Sequence, residues 1–284
     1  MTEKLDSQLI ARQVSAALSE DVGPGDVTAA LVPARQQVRA HIVAREPAVL
    51  CGTRWVTETF RQLDPAIHLD WRAVDGERIA ADQVLLAIAG AARPILTGER
   101  TALNFLQTLS ATATAASRYV EAVAGTNCRI LDTRKTLPGL RLAQKYATRC
   151  GGAQNHRMGL YDMVLVKENH ILAAGSIATA ITSARRSSPG IPVEVEVESL
   201  TEFDQALAGG ADIILLDELT LDDMRTAVER NRQSGSKAKL EASGSVTLAN
   251  VREIALTGVD YISIGAITKH VQAVDLSMRF EFMA

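Results

Sequence analysis

The pattern of apolar and polar positions changes character near residues 110–125. Before that point the predicted elements are mixed. The spacing predicts a helix over Asp6–Glu20, followed by the turn-rich run Gly23-Pro24-Gly25-Asp26. Strand-like stretches come next around Val38–Leu50, Ile67–Val74 and Val84–Ala89, with a helical pattern near Arg54–Leu63 between them. From Thr97 onward, TGERTALNFLQTLSATATAASRYVEAVAG reads as one long helix or two, with Thr97 suited to the N-cap and Gly125 to the stop. This half predicts an α+β domain.

The second half has a regular rhythm. Short apolar runs recur at Cys128–Asp132, Met163–Lys167, Pro192–Glu198, Asp212–Asp217, Ala238–Ser243 and Val259–Gly265. Helical patterns separate them: Leu140–Cys150, Ile177–Ser187, Leu200–Gly209, Asp222–Arg232 and Leu248–Gly258. Strand and helix alternating in this way predict parallel βα units. Six strands fit an open doubly wound sheet or an incomplete barrel, and the strand ends favour the barrel. Five strands finish in a polar residue or glycine (Asp132, Lys167, Asp217, Ser243, Gly265), and the sixth carries Glu194, Glu196 and Glu198. A barrel assembles its site from many strand ends at once, whereas an open sheet concentrates contacts at one switch point.

Composition excludes several classes. The apolar and charged fractions, 47% and 22%, are those of a globular protein. The N-terminal MTEKLDSQLIARQ lacks the apolar core of a signal peptide, and no run approaches the ~20 apolar residues of a membrane span. Cys51, Cys128 and Cys150 have no CxxC spacing, so the expected compartment is the reducing cytosol. A net charge of −3 argues against nucleic acid as a partner. Yet Thr133 to Arg157 holds six Lys or Arg and no Asp or Glu. A local basic block in an acidic protein points to a small anionic ligand.

That block reads DTRKTLPGLRLAQKYATRCGGAQNHR. Arg134, Lys135, His156 and Arg157 sit in Gly- and Pro-punctuated loops at strand ends, where forked guanidinium groups suit carboxylates and phosphates. Arg141, Lys145 and Arg149 share one helix face that fits a solvated surface as readily as a site, and we leave them out of the catalytic set. In PVEVEVES the valines occupy one face and Glu194, Glu196 and Glu198 the other. Such a row means either an exposed edge or a barrel interior that holds cations or Mg²⁺. Asp217 adds a carboxylate at the same rim. Ser243-Gly244-Ser245 and Gly265-Ala266 end the last two strands, the common phosphate site of barrel enzymes, where glycine lets backbone N–H groups and a following helix N-terminus approach the anion. Arg100, in the first turn of the long helix, has the default reading of a surface charge.

The run DTRKTLPGLRLAQKYATRCGGAQNHRMGLYDMVLVKENH resembles the central signature of the quinolinate phosphoribosyltransferases. EDVGPGDVT, GERTALNFLQTLSATAT, PVEVEVESL, ADIILLD, LEASGSV and GVDYISIGAITKHVQAVDLSMRF extend the resemblance over most of the chain. It implies a type II phosphoribosyltransferase: a mixed α+β N-terminal domain (residues 1–115, joined by the tail 272–284) and an open, incomplete α/β barrel with the catalytic site (116–271). The implied reaction moves a phosphoribosyl group from phosphoribosyl pyrophosphate to quinolinate, giving nicotinate mononucleotide, pyrophosphate and CO₂, with Mg²⁺ required.

By resemblance, Arg134, His156 and Arg157 would hold the quinolinate carboxylates. Lys167 would lie nearby, with Arg100 contributed from the other subunit of a homodimer. Thr133 and Lys135 would border the pocket, Lys135 suited to pyrophosphate. Glu196 and Asp217 would hold ribose hydroxyls and Mg²⁺, directly or through water, and Ser243, Gly244, Ser245, Gly265 and Ala266 would seat the 5′-phosphate. Lys135, Lys167, Glu196 and Asp217 form the implied catalytic set. Asp217-Glu218 departs from the family's more frequent Asp-Asn, and Ser245 is a variable position in the family. The molybdenum-operon phosphoribosyltransferase-like relatives share part of the motif, but KENH and the complete NHR favour the quinolinate enzymes. Other classes consistent with the residues are a Schiff-base lyase using Lys135 or Lys167, and a non-catalytic protein that binds the metabolite.

Overall fold

The computed structural model describes residues 6–235 and 238–282. The outermost residues of the expected N-terminal domain and tail, 1–5 and 283–284, lie outside the described residues. The chain forms two compact units. The described residues of 1–115, 137–152 and 270–284 make up one, and the described residues of 116–136 and 153–269 the other.

In the first unit, helix α1 (Ser7–Val22) is capped by Asp6, whose carboxylate accepts from the Gln8 N–H at 2.9 Å. Strand β1 (Gln37–Ala44) buries alternate residues and ends where Arg45-Glu46-Pro47 breaks the run, so the expected Val38–Leu50 strand is split. The short β2 (Ala48–Val49) follows, then α2 (Thr53–Leu63), β3 (His68–Trp71), β4 (Arg78–Ile79) and β5 (Val84–Ala91).

Helix α3 (Ala92–Ala122) begins a full turn before Thr97. Pro94 belongs to that first turn, where its missing N–H is no loss. Thr97 therefore does not cap. Its hydroxyl donates to Asp26 at 2.9 Å, tying the helix to the GPGDV turn. Gly125, at φ +82, follows the helix end as expected.

The second unit carries β6 (Arg129–Leu131), and the first unit then takes up α4 (Arg141–Cys150). The second continues with β7 (Val164–Val166), α5 (Glu168–Ala174), α6 (Ile177–Ser187), β8 (Val193–Val197), α7 (Leu200–Ala208), β9 (Ile213–Asp217), α8 (Leu221–Gln233), β10 (Lys239–Ser243), α9 (Val251–Ala255), β11 (Tyr261–Ser263) and α10 (Ala266–Lys269). Strand β12 (Leu276–Phe282) returns to the first unit and pairs antiparallel with β1, completing the sheet β12-β1-β5-β3.

The sequence grouped Leu137–Gly152 with the barrel, but the segment packs within the first unit. Ala143 and Ala147 join a buried cluster with Val14, Trp55 and Phe105. Gln144 donates to Thr112, and Tyr146 donates to Asp75 at 2.9 Å. Lys145, expected on a basic face with Arg141 and Arg149, is fully buried, and those two arginines are half-buried.

In the second unit the described strands form a parallel sheet in the order β6-β11-β10-β9-β8-β7. Each strand from β7 to β11 neighbours the next in sequence, and the first strand, β6, pairs with the last. No strand order reverses, as it would in a doubly wound sheet. This is a barrel circuit left open between β6 and β7. Val193, Val195 and Val197 pack outward in one apolar cluster with Phe203, Ile181 and Ile214 from the surrounding elements. The alternation of β8 consequently turns its glutamates inward. Ser176, Ser199 and Thr220 cap α6, α7 and α8 through their side-chain oxygens. Among the described residues no helix is long and apolar enough to cross a membrane.

Candidate active site

The open edge of β6 is where the site is assembled. Gln154 bridges Leu131 in parallel sense, its N–H donating to the Ile130 carbonyl at 2.8 Å and its carbonyl accepting from the Asp132 N–H at 3.1 Å. The NHR segment thereby lies beside β6. Asp132, fully buried, accepts from the His156 N–H at 3.0 Å and from the Asn155 amide at 2.6 Å. That carboxylate fixes the loop on which His156 and Arg157 stand.

His156 is buried, and its Nε2 lies 3.0 Å from a Glu194 oxygen and 3.5 Å from a Glu241 oxygen. Glu194 is on β8 and Glu241 on β10, with β9 between them. Two carboxylates meeting across an intervening strand must share its concave face. Burial and the neighbouring Glu194 carboxylate push the Glu241 pKa up to about 8, against the opposing pull of His156 and Ser263.

Glu241 therefore takes up a proton on folding when the pH lies between the ordinary carboxyl value and about 8. Its folded pKa is raised, so its contribution to stability is fully present below the ordinary value and declines as pH rises toward about 8. Urea unfolding at several pH values across that window should show Glu241→Gln losing less stability with rising pH than the wild type. Identical slopes would contradict the assignment.

Arg134 and Arg157 stand close enough for their charges to interact. Burial pushes the Arg157 pKa down and Arg134 adds to the shift, while Glu194 and Asp162 oppose it. The Nε of Arg134 is buried without a hydrogen-bond partner among the described residues. Arg157 reaches the Met163 carbonyl at 3.4 Å. Asp162 accepts from the N–H groups of Met158 (2.6 Å) and Gly159 (3.0 Å), which shapes the turn beyond Arg157.

The remaining strand ends supply paired groups. The Lys167 ammonium bonds to the Glu196 carboxylate. The Lys167 N–H donates to His170 Nδ1 at 3.0 Å, so the histidine of KENH holds the turn where β7 ends. Ser243 donates its hydroxyl to Asp217. Thr133 accepts from the Lys135 N–H at 3.1 Å, and Thr268 donates to the Lys135 carbonyl at 2.8 Å. The Lys135 side chain crosses Gly265 so closely that a Cβ there would come within 2.9 Å of its Cδ. Thr133, Lys135 and Gly265 are thus one cluster, and Ala266 opens the single turn of α10.

The helix expected over Leu248–Gly258 is confined to Val251–Ala255 and does not start directly at Ser245, although the side-chain amide of its N-cap residue Asn250 donates to the Ser245 carbonyl at 3.1 Å. Instead Glu218 (φ +53) and Ser245 (φ +45) both adopt left-handed backbone, and the Ser245 hydroxyl donates to Glu218 at 2.8 Å. A Cβ on Gly244 would fall 2.5 Å from the Glu218 carboxyl carbon. Positive φ at non-glycine residues is strained backbone, and here it lies at two strand ends of the site. Arg100 is exposed on α3 in the first unit, apart in the chain from this set.

The barrel-end residues can therefore hold anions on one side and hydroxyls or a cation on the other. Residues 112–279 match the model of the quinolinate phosphoribosyl transferase C-terminal domain, and residues 26–110 match that of its N-terminal domain. The chain belongs to the quinolinate phosphoribosyltransferase family. The probable nicotinate-nucleotide pyrophosphorylase [carboxylating] of Synechocystis sp. is 44% identical over 263 residues, 92% of this chain and 89% of that protein. The corresponding Mycobacterium leprae protein is 43% identical, covering 92% of this chain and 94% of its own. The structure of the nicotinate-nucleotide pyrophosphorylase from Francisella tularensis superposes with a TM-score of 0.95 at 44% identity, covering 98% of each chain. At that similarity the family's incomplete barrel and α+β N-terminal domain are those of this chain.

Proposed function

We propose that this chain transfers the phosphoribosyl group of phosphoribosyl pyrophosphate to the ring nitrogen of quinolinate, with loss of one carboxylate as CO₂, giving nicotinate mononucleotide and pyrophosphate for NAD biosynthesis. The observation that carries this reading is the paired guanidinium site. Arg134 and Arg157 repel each other, make no ion pair with the described carboxylates, and leave the buried Arg134 Nε unmatched. A dicarboxylate would relieve both costs.

The residues take roles by chemistry. Arg134, Arg157 and His156 bind the pyridine carboxylates, with Thr133 at the pocket's border and Lys167 beside it. Lys135 meets the departing pyrophosphate. The Ser243-Gly244-Ser245 and Gly265-Ala266 turns receive the 5′-phosphate. Glu196 and Asp217 accept from ribose hydroxyls as positive charge develops on the sugar ring. The same two carboxylates offer the hard oxygen donors that Mg²⁺ requires, directly or through water, so the donor set fits that ion. Bound there, Mg²⁺ would neutralise charge growing on the pyrophosphate. Once the ring nitrogen is glycosylated it is cationic, and its charge stabilises the carbanion left on the adjacent C2 when CO₂ departs, which then takes up a proton from water to give nicotinate mononucleotide. The protein then has mainly to hold two mutually repelling anions in register.

The working assembly is a homodimer in which Arg100 of one subunit completes the other's site. Cys51, Cys128 and Cys150 are free thiols, as suits a cytoplasmic enzyme. With quinolinate labelled at the carboxyl on C2, phosphoribosyl pyrophosphate and Mg²⁺, the chain is expected to release labelled CO₂ in step with pyrophosphate. Binding of quinolinate without release would leave only a metabolite-binding protein.

A further inference from the structure

Two buried carboxylates stand beside His156, and the proposed reaction leaves them unused. Glu194 and Glu241 are fully buried, and their oxygens gather with a His156 ring nitrogen so that the three ligating atoms lie within 4.8 Å of one another. A buried carboxylate is costly unless something on the protein makes it worthwhile. None of their oxygens makes a well-formed hydrogen bond among the described residues, and what stands within ion-pair distance of both is the ring nitrogen of the histidine assigned to quinolinate. The His156 main chain is held by Asp132 at 3.0 Å, and its ring nitrogen lies 3.0 Å from a second carboxylate, that of Glu194.

We infer that Glu194, with Glu241 beside it, is a positioning residue for His156. It fixes the imidazole through Nε2, so that the quinolinate-binding set is preassembled before substrate arrives. The inference rests on the proposed quinolinate site. Residues that orient a metal-ligating histidine through its far nitrogen are worth about 10–100-fold in metal affinity or activity, and the same preorganisation argument applies to a histidine that meets an anion. Glu241 stands further from Nε2, at 3.5 Å against 3.0 Å, so the tighter hold belongs to Glu194. Glu194 also acts on Arg157 through its charge, and a direct role there is the alternative to be separated.

The separating experiment is a double-mutant cycle read by calorimetric titration of quinolinate and, separately, of phosphoribosyl pyrophosphate. Glu194→Gln keeps the volume of the side chain but replaces one carboxylate oxygen with an amide. It should weaken quinolinate binding about tenfold and leave phosphoribosyl pyrophosphate binding within about twofold. In a His156→Ala background the same change should add nothing further to the quinolinate loss. An unchanged quinolinate Kd in Glu194→Gln would overturn the inference, as would equal loss of both ligands. Losses that multiply with those of His156→Ala would assign Glu194 to Arg157 instead. Should Glu194→Gln fail to fold by its circular dichroism, Glu194→Asp is read in the same way. Wild-type protein that binds no quinolinate would remove the site reading itself, whereas normal binding by Glu194→Gln removes only this inference.

Discussion

Arg134→Ala is expected to weaken quinolinate binding by about a hundredfold to a thousandfold, while phosphoribosyl pyrophosphate binding changes by less than about threefold. Removing one partner of a desolvated charge contact costs several kcal/mol, and Arg134 has two reasons to be such a partner. Its Nε is buried without a hydrogen-bond partner among the described residues, and burial together with the Arg134 charge lowers the pKa of its neighbour Arg157. Truncation also relieves that repulsion, so the folded protein should be no less stable in urea than the wild type. Titration calorimetry with each substrate alone, beside an unfolding curve, checks both halves. Comparable loss of both affinities would mean that the guanidinium pair serves the phosphates and that the pocket has been misassigned.

Much of this site was legible because strand periodicity is a strong signal. The alternation of PVEVEV required one apolar and one acidic face, and the rhythm of strand and helix required a concave interior to receive the acidic one. What periodicity cannot show is which interior groups meet. Glu241 sits in the unremarkable run KLEAS, and only the fold brings it from β10 to within reach of His156 and Glu194. Asp132 was visible as a strand end, but its role in holding Asn155 and His156 depends on a loop lying beside β6.

Local structure was less legible where long-range contacts decide it. LSMRFEF alternates as a strand should, yet its partner β1 lies more than two hundred residues earlier, and sequence could place the tail only by resemblance. The Leu137–Gly152 segment follows the barrel's rhythm, and nothing local distinguishes it from a barrel helix. Its burial beside Trp55 and Phe105 takes it into the other unit. The left-handed backbone at Glu218 and Ser245 has no sequence signal, because neither residue is glycine.

Arg100 gives the sharpest test of how the site is completed. It stands exposed on α3 in the first unit, whereas the other anion-binding residues belong to the second. If it serves the site of the opposite subunit, Arg100→Ala and Arg134→Ala subunits carry complementary defects. Each mutant homodimer has two damaged sites and should release almost no CO₂. In a mixed dimer, the site built on the Arg100→Ala subunit keeps its own Arg134 and receives an intact Arg100 from across the interface. The other site has lost both. A purified mixed dimer should therefore recover about half of wild-type activity, since a two-fold assembly has two equivalent sites and one is restored whole. Co-expression with two different tags and sequential affinity purification gives that species without homodimers. If Arg100 served its own chain, both sites of the mixed dimer would retain one defect each and activity would stay at the level of the homodimers. That outcome would assign Arg100 to the site of its own chain and end the proposal of a shared site, whereas a fully active Arg100→Ala homodimer would make it a surface charge.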